Sequence, residues 1–482
     1  MDGLECSEIR LSCLERTARI DAEFYKKENL YIDAELKKTD FHPITDYFSV
    51  SDGNHMSISD SFCSEGIPYY RGQDIYHVFI EEASPICINK KTYEHPHMYR
   101  SHLKAGDVLM SIVGAIIGNS AIVSTDNDAT CSCKLSILRS KNTGIIPESL
   151  LVYIKSLYGQ NQIQKFKRGA AQTGLLLEDF DQLLIPKFGE EFQQAVKKIV
   201  DLSHEFVLAA SEIYRDAEKT LGDTIWDDAS EPESLSSSIK NYRDSFLVSG
   251  RLDAEYYQPK YEALFGALSK FKTQKLGGAR GLVSVAKSIE PGSEAYAEVG
   301  IPFVRVSDVS KFEISEPEIK LRSDILQNPE VLFPQKDTIL LSKDGSVGIA
   351  YKIESTMPVI TSGALLHLTV RNKAEVLPDY LALVLNSPIV QLQAERDSNG
   401  AIIQHWKPSE IENVIIPVLD MDVQKEIATK VQESFALRKK SKQLLEYVIR
   451  AVEMAIEQGE DVALEWLKDK IRVRRGYKYA SG

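Results

Sequence analysis

The sequence has 482 residues, of which 43% are apolar and 26% are charged, and its formal net charge is −13. This length exceeds what one hydrophobic core supports and predicts two to four domains. The acidic balance argues against a strongly basic nucleic-acid binder for the chain as a whole, although one face can be basic while the rest is acidic.

Neither a signal peptide nor a membrane helix is predicted. The first residues lack a basic stretch followed by an apolar run. The longest apolar stretch, residues 108–123, is interrupted by serines and glycines and is too short for a bilayer, so we interpret it as strand–turn–strand. The six cysteines lie in the first third of the chain without the paired CxxC spacing of a zinc site. They are expected to be reduced, as in a cytoplasmic protein.

The chain contains an internal repeat. Residues 19–25 (RIDAEFY) are nearly restated 232 residues later by residues 251–257 (RLDAEYY). A helix-favouring run follows each copy, to about Lys38 in the first and from Pro259 to Lys272 in the second. Such self-similarity indicates two copies of one structural unit.

Two further repeated blocks carry β-strand signals. Residues 66–75 and 300–309 share the pattern G-I-P-aromatic-x-R-x-x-D-I/V, which predicts a strand entered through a fixed turn. Residues 105–118 and 335–348 share an apolar strand followed by a glycine-containing turn, which predicts a hairpin. The glycines suit either the hairpin alone or a close approach to phosphate, and the pattern leaves both open.

Each copy closes on an Ile-Pro pair followed by a long amphipathic pattern. From Phe192 to Ala217 apolar residues recur at spacings of four and three, typical of a coiled-coil seam. Residues 423–455 show the same seam pattern in the same phase, although Lys430 and serines occupy some of its apolar positions. We predict that the two helices pair antiparallel about a pseudo-twofold; packing of each helix on its own domain alone stays open. Residues 223–238 are predicted to be a linker, and the basic tail 468–478 to be frayed.

Two stretches of the chain resemble catalytic motifs only in part. Residues 281–288 fall one glycine short of a P-loop, because Ala286 stands where the phosphate cradle needs glycine. Asp308 with Glu318 and Lys320 is similar to a magnesium-binding nuclease triad, but the first copy lacks the E-x-K, which favours a structural charge. HExxH, GxSxG, a Cys/His cluster and a methyltransferase motif are missing from the sequence. We therefore predict no enzyme, no catalytic residue, no metal and no cofactor.

The order and duplication of these blocks over roughly residues 19–460 resemble the specificity (S) subunit of a type I restriction–modification system. The resemblance implies a non-catalytic subunit whose two target-recognition domains each read one half of a split site in double-stranded DNA. It also implies helices that fix the gap between half-sites and dock methyltransferase (modification) subunits, with a restriction/translocase subunit in the full complex. No membrane association is expected.

The predicted fold class is α+β, with two similar α/β target-recognition domains separated by long paired antiparallel helices. The predicted boundaries are a lead segment (1–41), recognition domain 1 (42–187), a helical spacer and linker (188–273), recognition domain 2 (274–418) and a C-terminal helical spacer (419–482).

Candidate DNA-binding residues are the polar side chains near the glycine turns, since lysine and arginine contact phosphates and Arg, Asn, Gln and His contact base edges. They are Asn54, His55, Arg71, Gln73, Lys167, Arg168, Gln172, Arg305, Ser307, Lys343, Ser346, Asn399, Gln404 and His405. The alternative function is a non-catalytic assembly scaffold of another DNA-targeting defence system, with weak or no direct sequence reading. A basic face across both domains would distinguish the first function from the second.

Overall fold

The structure, a computed structural model, describes residues 6–10, 19–169, 173–226, 238–243, 245–324, 327–398 and 404–475. It divides into two compact units: unit 1 comprises residues 1–207 and 438–482, and unit 2 comprises residues 208–437. Both units mix helices with small sheets, which confirms the predicted α+β class. Within the described ranges, no helix is long and apolar enough to cross a membrane.

Unit 1 is built on two four-stranded sheets and one closing strand pair. Its strands are β1 (Phe41–Pro43), β2 (Phe48–Asp52), β3 (Phe62–Cys63), β4 (Ile67–Tyr70), β5 (Ile86–Ile88), β6 (Val108–Ser111), β7 (Ser120–Ile122), β8 (Thr130–Cys131), β9 (Leu135–Ser140) and β10 (Leu184–Pro186). The sheet orders are β2-β9-β6-β7 and β3-β5-β4-β8, and β1 pairs with β10. β6 and β7 form the predicted hairpin, and β4 is the predicted G-I-P strand.

The helices of unit 1 are α1 (Lys27–Leu36), α2 (Ile44–Tyr47), α3 (Lys90–Tyr93), α4 (Pro147–Lys155), α5 (Leu157–Phe166), the first part of α6 (Glu190–Trp226), the last part of α12 (Met421–Gln458) and α13 (Glu460–Arg475). Except for α3, these helices cover one face of the β2-β9-β6-β7 sheet with a buried apolar cluster. Short 3-10 helices lie at Ser59–Ser61, Gly72–Asp74, Ile80–Glu82, Pro96–Ser101 and Leu177–Asp181.

Unit 2 repeats this plan. Its helices are α7 (Phe246–Ser249), α8 (Pro259–Leu268), α9 (Pro378–Asn386), α10 (Pro388–Asp397) and α11 (Pro408–Glu412), with 3-10 helices at Ala254–Tyr257, Ser293–Ala295, Val306–Asp308 and Pro329–Leu332. Its strands are β11 (Thr273–Lys275), β12 (Val283–Lys287), β13 (Tyr296–Ala297), β14 (Ile301–Val304), β15 (Lys320–Leu321), β16 (Ile339–Ser342), β17 (Asp344–Gly345), β18 (Ala350–Lys352), β19 (Ile360–Thr361), β20 (Leu365–Val370), β21 (Gln404–His405) and β22 (Ile415–Pro417). The sheet orders β12-β20-β16-β18 and β13-β15-β14-β19 match those of unit 1, and the pairs β11-β22 and β17-β21 complete the unit.

The repeat extends to single buried side chains. Gln162 exchanges hydrogen bonds with the backbone of Leu184 at 2.8 Å, and Gln393 does the same with Ile415 at 3.0 and 2.8 Å. In each unit this glutamine ties the helix before the closing strand to that strand. A buried amide that satisfies both a donor and an acceptor of the backbone fixes register, which explains its recurrence 231 residues later.

The long helices pair antiparallel in each unit. In unit 1 the Ser203 and Ser441 hydroxyls lie 2.7 Å apart, while Gly189, before α6, donates to Glu460, beyond the end of α12. In unit 2 the Ser434 hydroxyl donates to the carbonyl of Ala210 at 2.7 Å. The seam serines, which the sequence suggested would weaken the pairing, are thus buried and hydrogen-bonded.

Two expectations about the ends of elements need correction. The predicted linker begins too early, because α6 continues to Trp226. The tail is helical through Arg475, since α13 follows a break at Gly459 and buries Ala463 and Leu467. The stretch at residues 281–288, which the sequence already placed one glycine short of a P-loop, lies mainly in the strand β12. All of β12 pairs with β20, which agrees with the absence of a phosphate-binding loop there.

Candidate nucleic-acid interface

In unit 1 the ends of four strands bring four loops together at one edge, called loop edge 1 and defined as residues 52–55, 71–74, 112–119 and 132–134. Backbone hydrogen bonds join the loops: Asn54 N to Cys131 O (2.8 Å), Ser132 N to Tyr70 O (2.9 Å) and Ile112 N to Lys134 O (3.0 Å). The segment after α5 joins them, since the amide of Leu175 donates to Ile112 at 2.9 Å. A Cβ on Gly72 would lie 3.1 Å from Ile116, so the turn at 71–74 packs directly on the glycine-rich loop.

Unit 2 has an equivalent loop edge 2, defined as residues 287–290, 305–308, 343–348, 362–364 and 404–406. Its backbone bonds match those of loop edge 1: Ser362 N to Val304 O (2.8 Å), Lys343 N to Ala364 O (2.9 Å) and Trp406 N to Lys343 O (2.8 Å). The strand β21 pairs with β17 in register, so His405 lies opposite Asp344. The tertiary structure therefore gathers most of the described candidate residues at one edge of each unit.

The cationic candidates at both edges are paired with carboxylates. Arg71 contacts Asp74 at 3.1 Å and Arg305 contacts Asp308 at 3.7 Å, each across a 3-10 turn that the aspartate also caps. His405 lies 2.8 Å from Asp344, which also binds Lys343. These carboxylates orient the cations and offset their charge, so the paired cations do not by themselves form the basic face that would favour DNA recognition over a scaffold.

The carboxylate that Lys343 and His405 share at loop edge 2 is that of Asp344. Burial raises the pKa of Asp344, but hydrogen bonds from Lys343 and His405 outweigh it and hold that pKa below its usual value. Asp344 thus stays ionised at neutral pH between two candidate residues. This fixes the positions of Lys343 and His405 relative to one another.

The remaining candidates differ in accessibility. Gln73, Ser307, Ser346 and Gln404 are exposed at the loop edges. Asn54 is only 3% exposed, and its side-chain amide is bonded to the backbone of Met56 in both directions. In this arrangement Asn54 shapes the loop that presents its neighbour His55.

Lys167 and Arg168 follow α5 beside the segment that joins loop edge 1. The guanidinium of Arg168 pairs with the fully buried Asp179, and its backbone exchanges hydrogen bonds with Gly174 at 3.0 and 2.8 Å. Lys167 is half-buried. The candidates Gln172 and Asn399 lie outside the described residues.

Sequence reasoning did not select two cations at loop edge 1. Arg100 reaches this edge from the 3-10 helix Pro96–Ser101 and pairs with Asp52. Lys134 is exposed on the loop between β8 and β9. Both stand outside the repeated motifs, so no pattern in the chain marked them.

The arginines of the repeated R-I/L-D turns have a structural place in each unit. Arg19 binds Asp21 at 2.7 Å and donates to the carbonyls of Lys165 and Phe166 at the end of α5. Arg251 binds Asp253 at 2.8 Å and donates to the carbonyl of Arg396 in α10. A cation on the last carbonyls of a helix is favourable with the helix dipole.

The geometry gives no support to the nuclease alternative. Asp308 accepts from the backbone of Arg305 at 2.8 Å and from Ser307 at 3.1 Å, which is the structural charge that the sequence favoured. Among the described residues, no group of three or more His, Cys, Asp or Glu side chains is placed to hold a metal.

Residues 281–447 match the family model for the type I restriction modification DNA specificity domain. Among solved structures, the chain is similar to the S subunit of a type I restriction–modification system from M. genitalium, at 13% identity over 89% of this chain and 95% of that chain, with a TM-score of 0.35. It is similar to the HsdS subunit from Thermoanaerobacter tengcongensis, at 17% identity over 87% of this chain and 96% of that chain, with a TM-score of 0.29. No curated protein gives a significant match.

Because both TM-scores are below 0.5, the assignment rests on the family match. Residues 281–447 therefore carry a type I restriction modification DNA specificity domain by this match. For this region the match agrees with the predicted family, and unit 1 repeats the sheet orders of that domain.

Proposed function

We propose that the chain is the DNA sequence-specificity subunit of a type I restriction–modification complex and reads a bipartite site, one half with each unit. The observation that carries this proposal is the duplicated loop edge, because two equivalent sets of polar loops suit two half-sites. The loops of the two units differ in their side chains, so the half-sites would differ in sequence. The 14 candidate residues stay proposals for the DNA contacts.

The proposal includes partners. The paired helices α6 and α12 would dock methyltransferase subunits, and a restriction/translocase subunit would join the full complex in the cytoplasm. The chain itself would carry out no chemistry, since the motifs that resemble catalytic sites serve as a strand and a capped turn. Partner subunits would supply the positive surface that a chain of net charge −13 lacks.

Methylome sequencing of cells with and without this gene and its neighbours tests the proposal. A split motif that is modified only when this gene is present is the expected result. If no new motif accompanies a stable complex with an active methyltransferase, the proposal is wrong and the scaffold alternative takes its place.

A further inference from the structure

Arg100 lies at loop edge 1 but is not one of the 14 candidate DNA-binding residues. Its Nη2 lies 3.5 Å from the carbonyl oxygen of Asp52 and pairs with the carboxylate of the same residue. Asp52 ends β2 and is only 13% exposed, whereas the Arg100 side chain is 54% exposed. His55 binds the other carboxylate oxygen of Asp52 at 2.6 Å. One nearly buried carboxylate therefore holds two exposed cationic or polar side chains at the edge.

The backbone that carries Arg100 is firmly packed on both sides. Met98 and Ser101 are fully buried, and the Ser101 hydroxyl bonds to Met98 at 2.7 Å and to Thr130 at 2.7 Å. The next residue, His102, stacks on Tyr93 at 3.8 Å and bonds to its carbonyl at 2.9 Å. Arg100 is thus held at both its backbone and its guanidinium, which lowers the entropy lost when it binds a ligand.

Unit 2 has a different charge at the same strand end. Asp52 lies opposite Ser136 in β9, and Lys287 lies opposite Leu366 at the matching place in β20. The carboxylate that holds Arg100 is therefore replaced by an exposed lysine in unit 2. The two edges are otherwise similar and differ in charge at this strand end. A residue that contacts a base in only one half-site is expected at such a position.

We propose that Arg100 is a specificity-determining residue that donates to a guanine in the half-site read by unit 1, and that Asp52 positions it. This inference rests on the proposed function and names one base contact within it. A guanidinium offers two parallel donors that match O6 and N7 of guanine in the major groove, whereas a lysine offers a point charge. A carboxylate that binds one side of the guanidinium leaves its other N–H groups directed outward.

The test is methylome sequencing of cells that carry the full complex with wild-type chain, Arg100→Lys, Arg100→Gln or Asp52→Asn. Lys141→Gln is the matched control, because Lys141 is also an exposed cation of unit 1 but follows the far end of β9, roughly 20 Å from loop edge 1. We expect both Arg100 variants to lower the guanine preference at one position of one half-site by about tenfold or more. Asp52→Asn should relax that same position, and Lys141→Gln should leave the motif unchanged.

The outcomes separate the inference from the proposed function. If the wild-type chain gives no split motif, the proposed function fails and the inference with it. If the wild-type motif appears and both Arg100 variants keep every position of it, only the inference is overturned. A uniform loss of modification with an unchanged motif would indicate a phosphate contact and also overturn it. Retention of the motif in Arg100→Lys alone would show that a charge without the bidentate guanidinium suffices, which overturns it as well. Thermal unfolding of each purified variant identifies any loss that comes from misfolding.

Discussion

At the scale of single residues, both units fasten their lead segment with the same arginine. The side chains of Arg19 and Arg251 are 17% and 26% exposed, and each stacks over an aromatic ring, Phe24 at 4.8 Å and Tyr256 at 4.6 Å. Hydrogen bonds donated by Arg19 and Arg251 hold the pKa of Asp21 and Asp253 below their usual values. The repeated motif that first marked the duplication is therefore structural in each unit.

Replacing Arg19 by alanine is expected to destabilise the protein by about 1–2 kcal/mol, because a charged donor to helix-end carbonyls is lost. Urea unfolding measures the change. Arg322→Ala is the control: Arg322 makes the same i, i+2 pair with Asp324, but both side chains are more than half exposed, so no measurable change is expected. Equal effects of the two substitutions would contradict the structural role of Arg19.

A histidine gives unit 1 a predicted pH dependence. His204 stacks on Phe79 at 4.4 Å, and burial lowers its pKa although Glu81, Asp201 and Glu205 raise it. Since the folded state binds the proton less well than the unfolded state, the His204 contribution is complete above the ordinary pKa of about 6.5 and is lost as pH falls below it.

We expect the urea midpoint of His204→Phe to fall less than that of the wild type between pH 7.5 and about pH 5.5. Phenylalanine keeps the ring contact without a titratable group, as Phe435 does near Phe312 in unit 2. The exposed His97 serves as the control, since His97→Phe should leave the pH dependence of the wild type in place. An unchanged slope in His204→Phe would show that other groups set the pH dependence.

At the scale of elements, the long helices depend on where glycine is placed. Gly459 separates α12 from α13 with a φ of +95°, in the left-handed region that glycine adopts without strain. Gly222 lies inside α6, and a Cβ at either glycine would meet no atom within 4 Å. The two positions therefore differ in backbone conformation and not in available space.

Opposite effects are expected from the same substitution at these glycines. Gly459→Ala should destabilise the protein by about 1 kcal/mol, because alanine is strained at positive φ. Gly222→Ala should stabilise it by about 0.5–1 kcal/mol, because alanine loses less entropy in a helix. Differential scanning calorimetry of both variants tests these two predictions. A change in stability of the same sign in both variants would refute the helix break at Gly459.

At the scale of the whole molecule, the two ends of each predicted recognition domain meet in a strand pair. β1 pairs with β10 in unit 1, and β11 pairs with β22 in unit 2. These pairs lie next to the predicted boundaries at residues 42–187 and 274–418. A segment whose ends meet in this way can be replaced with little change to the rest of the chain.

Exchange of residues 42–187 for the corresponding domain of another family member should change one half of the modified motif and leave the other half as it was. The reciprocal exchange of residues 274–418 is the control and should change only the other half. Methylome sequencing reads both results. A change in both halves after one exchange would mean that the units do not read DNA independently.

The sequence alone determined the duplication, the main strands and helices and the resemblance to a type I specificity subunit. These follow from local patterns: an apolar period of two or of three to four residues, turn residues and blocks that recur about 231 residues apart. The seam of α6 was predicted in the same way, and the buried Phe192, Val196, Ile199, Ser203 and Ala210 agree with it. Two predicted seam positions differ, because Phe206 and Ile213 are half-buried while their neighbours Val207 and Tyr214 are buried.

Only the tertiary structure decided which side chains share an edge and which carboxylate each cation meets. Asp344 and His405 are 61 residues apart and meet through the β17–β21 pair. Arg100 and Asp52, 48 residues apart, meet because a packed 3-10 turn lies against the end of β2. Such contacts depend on strand pairing between distant segments, and a single sequence does not state which strands pair. For the same reason the sequence selected Asn54, which is buried, and passed over Arg100, which is exposed.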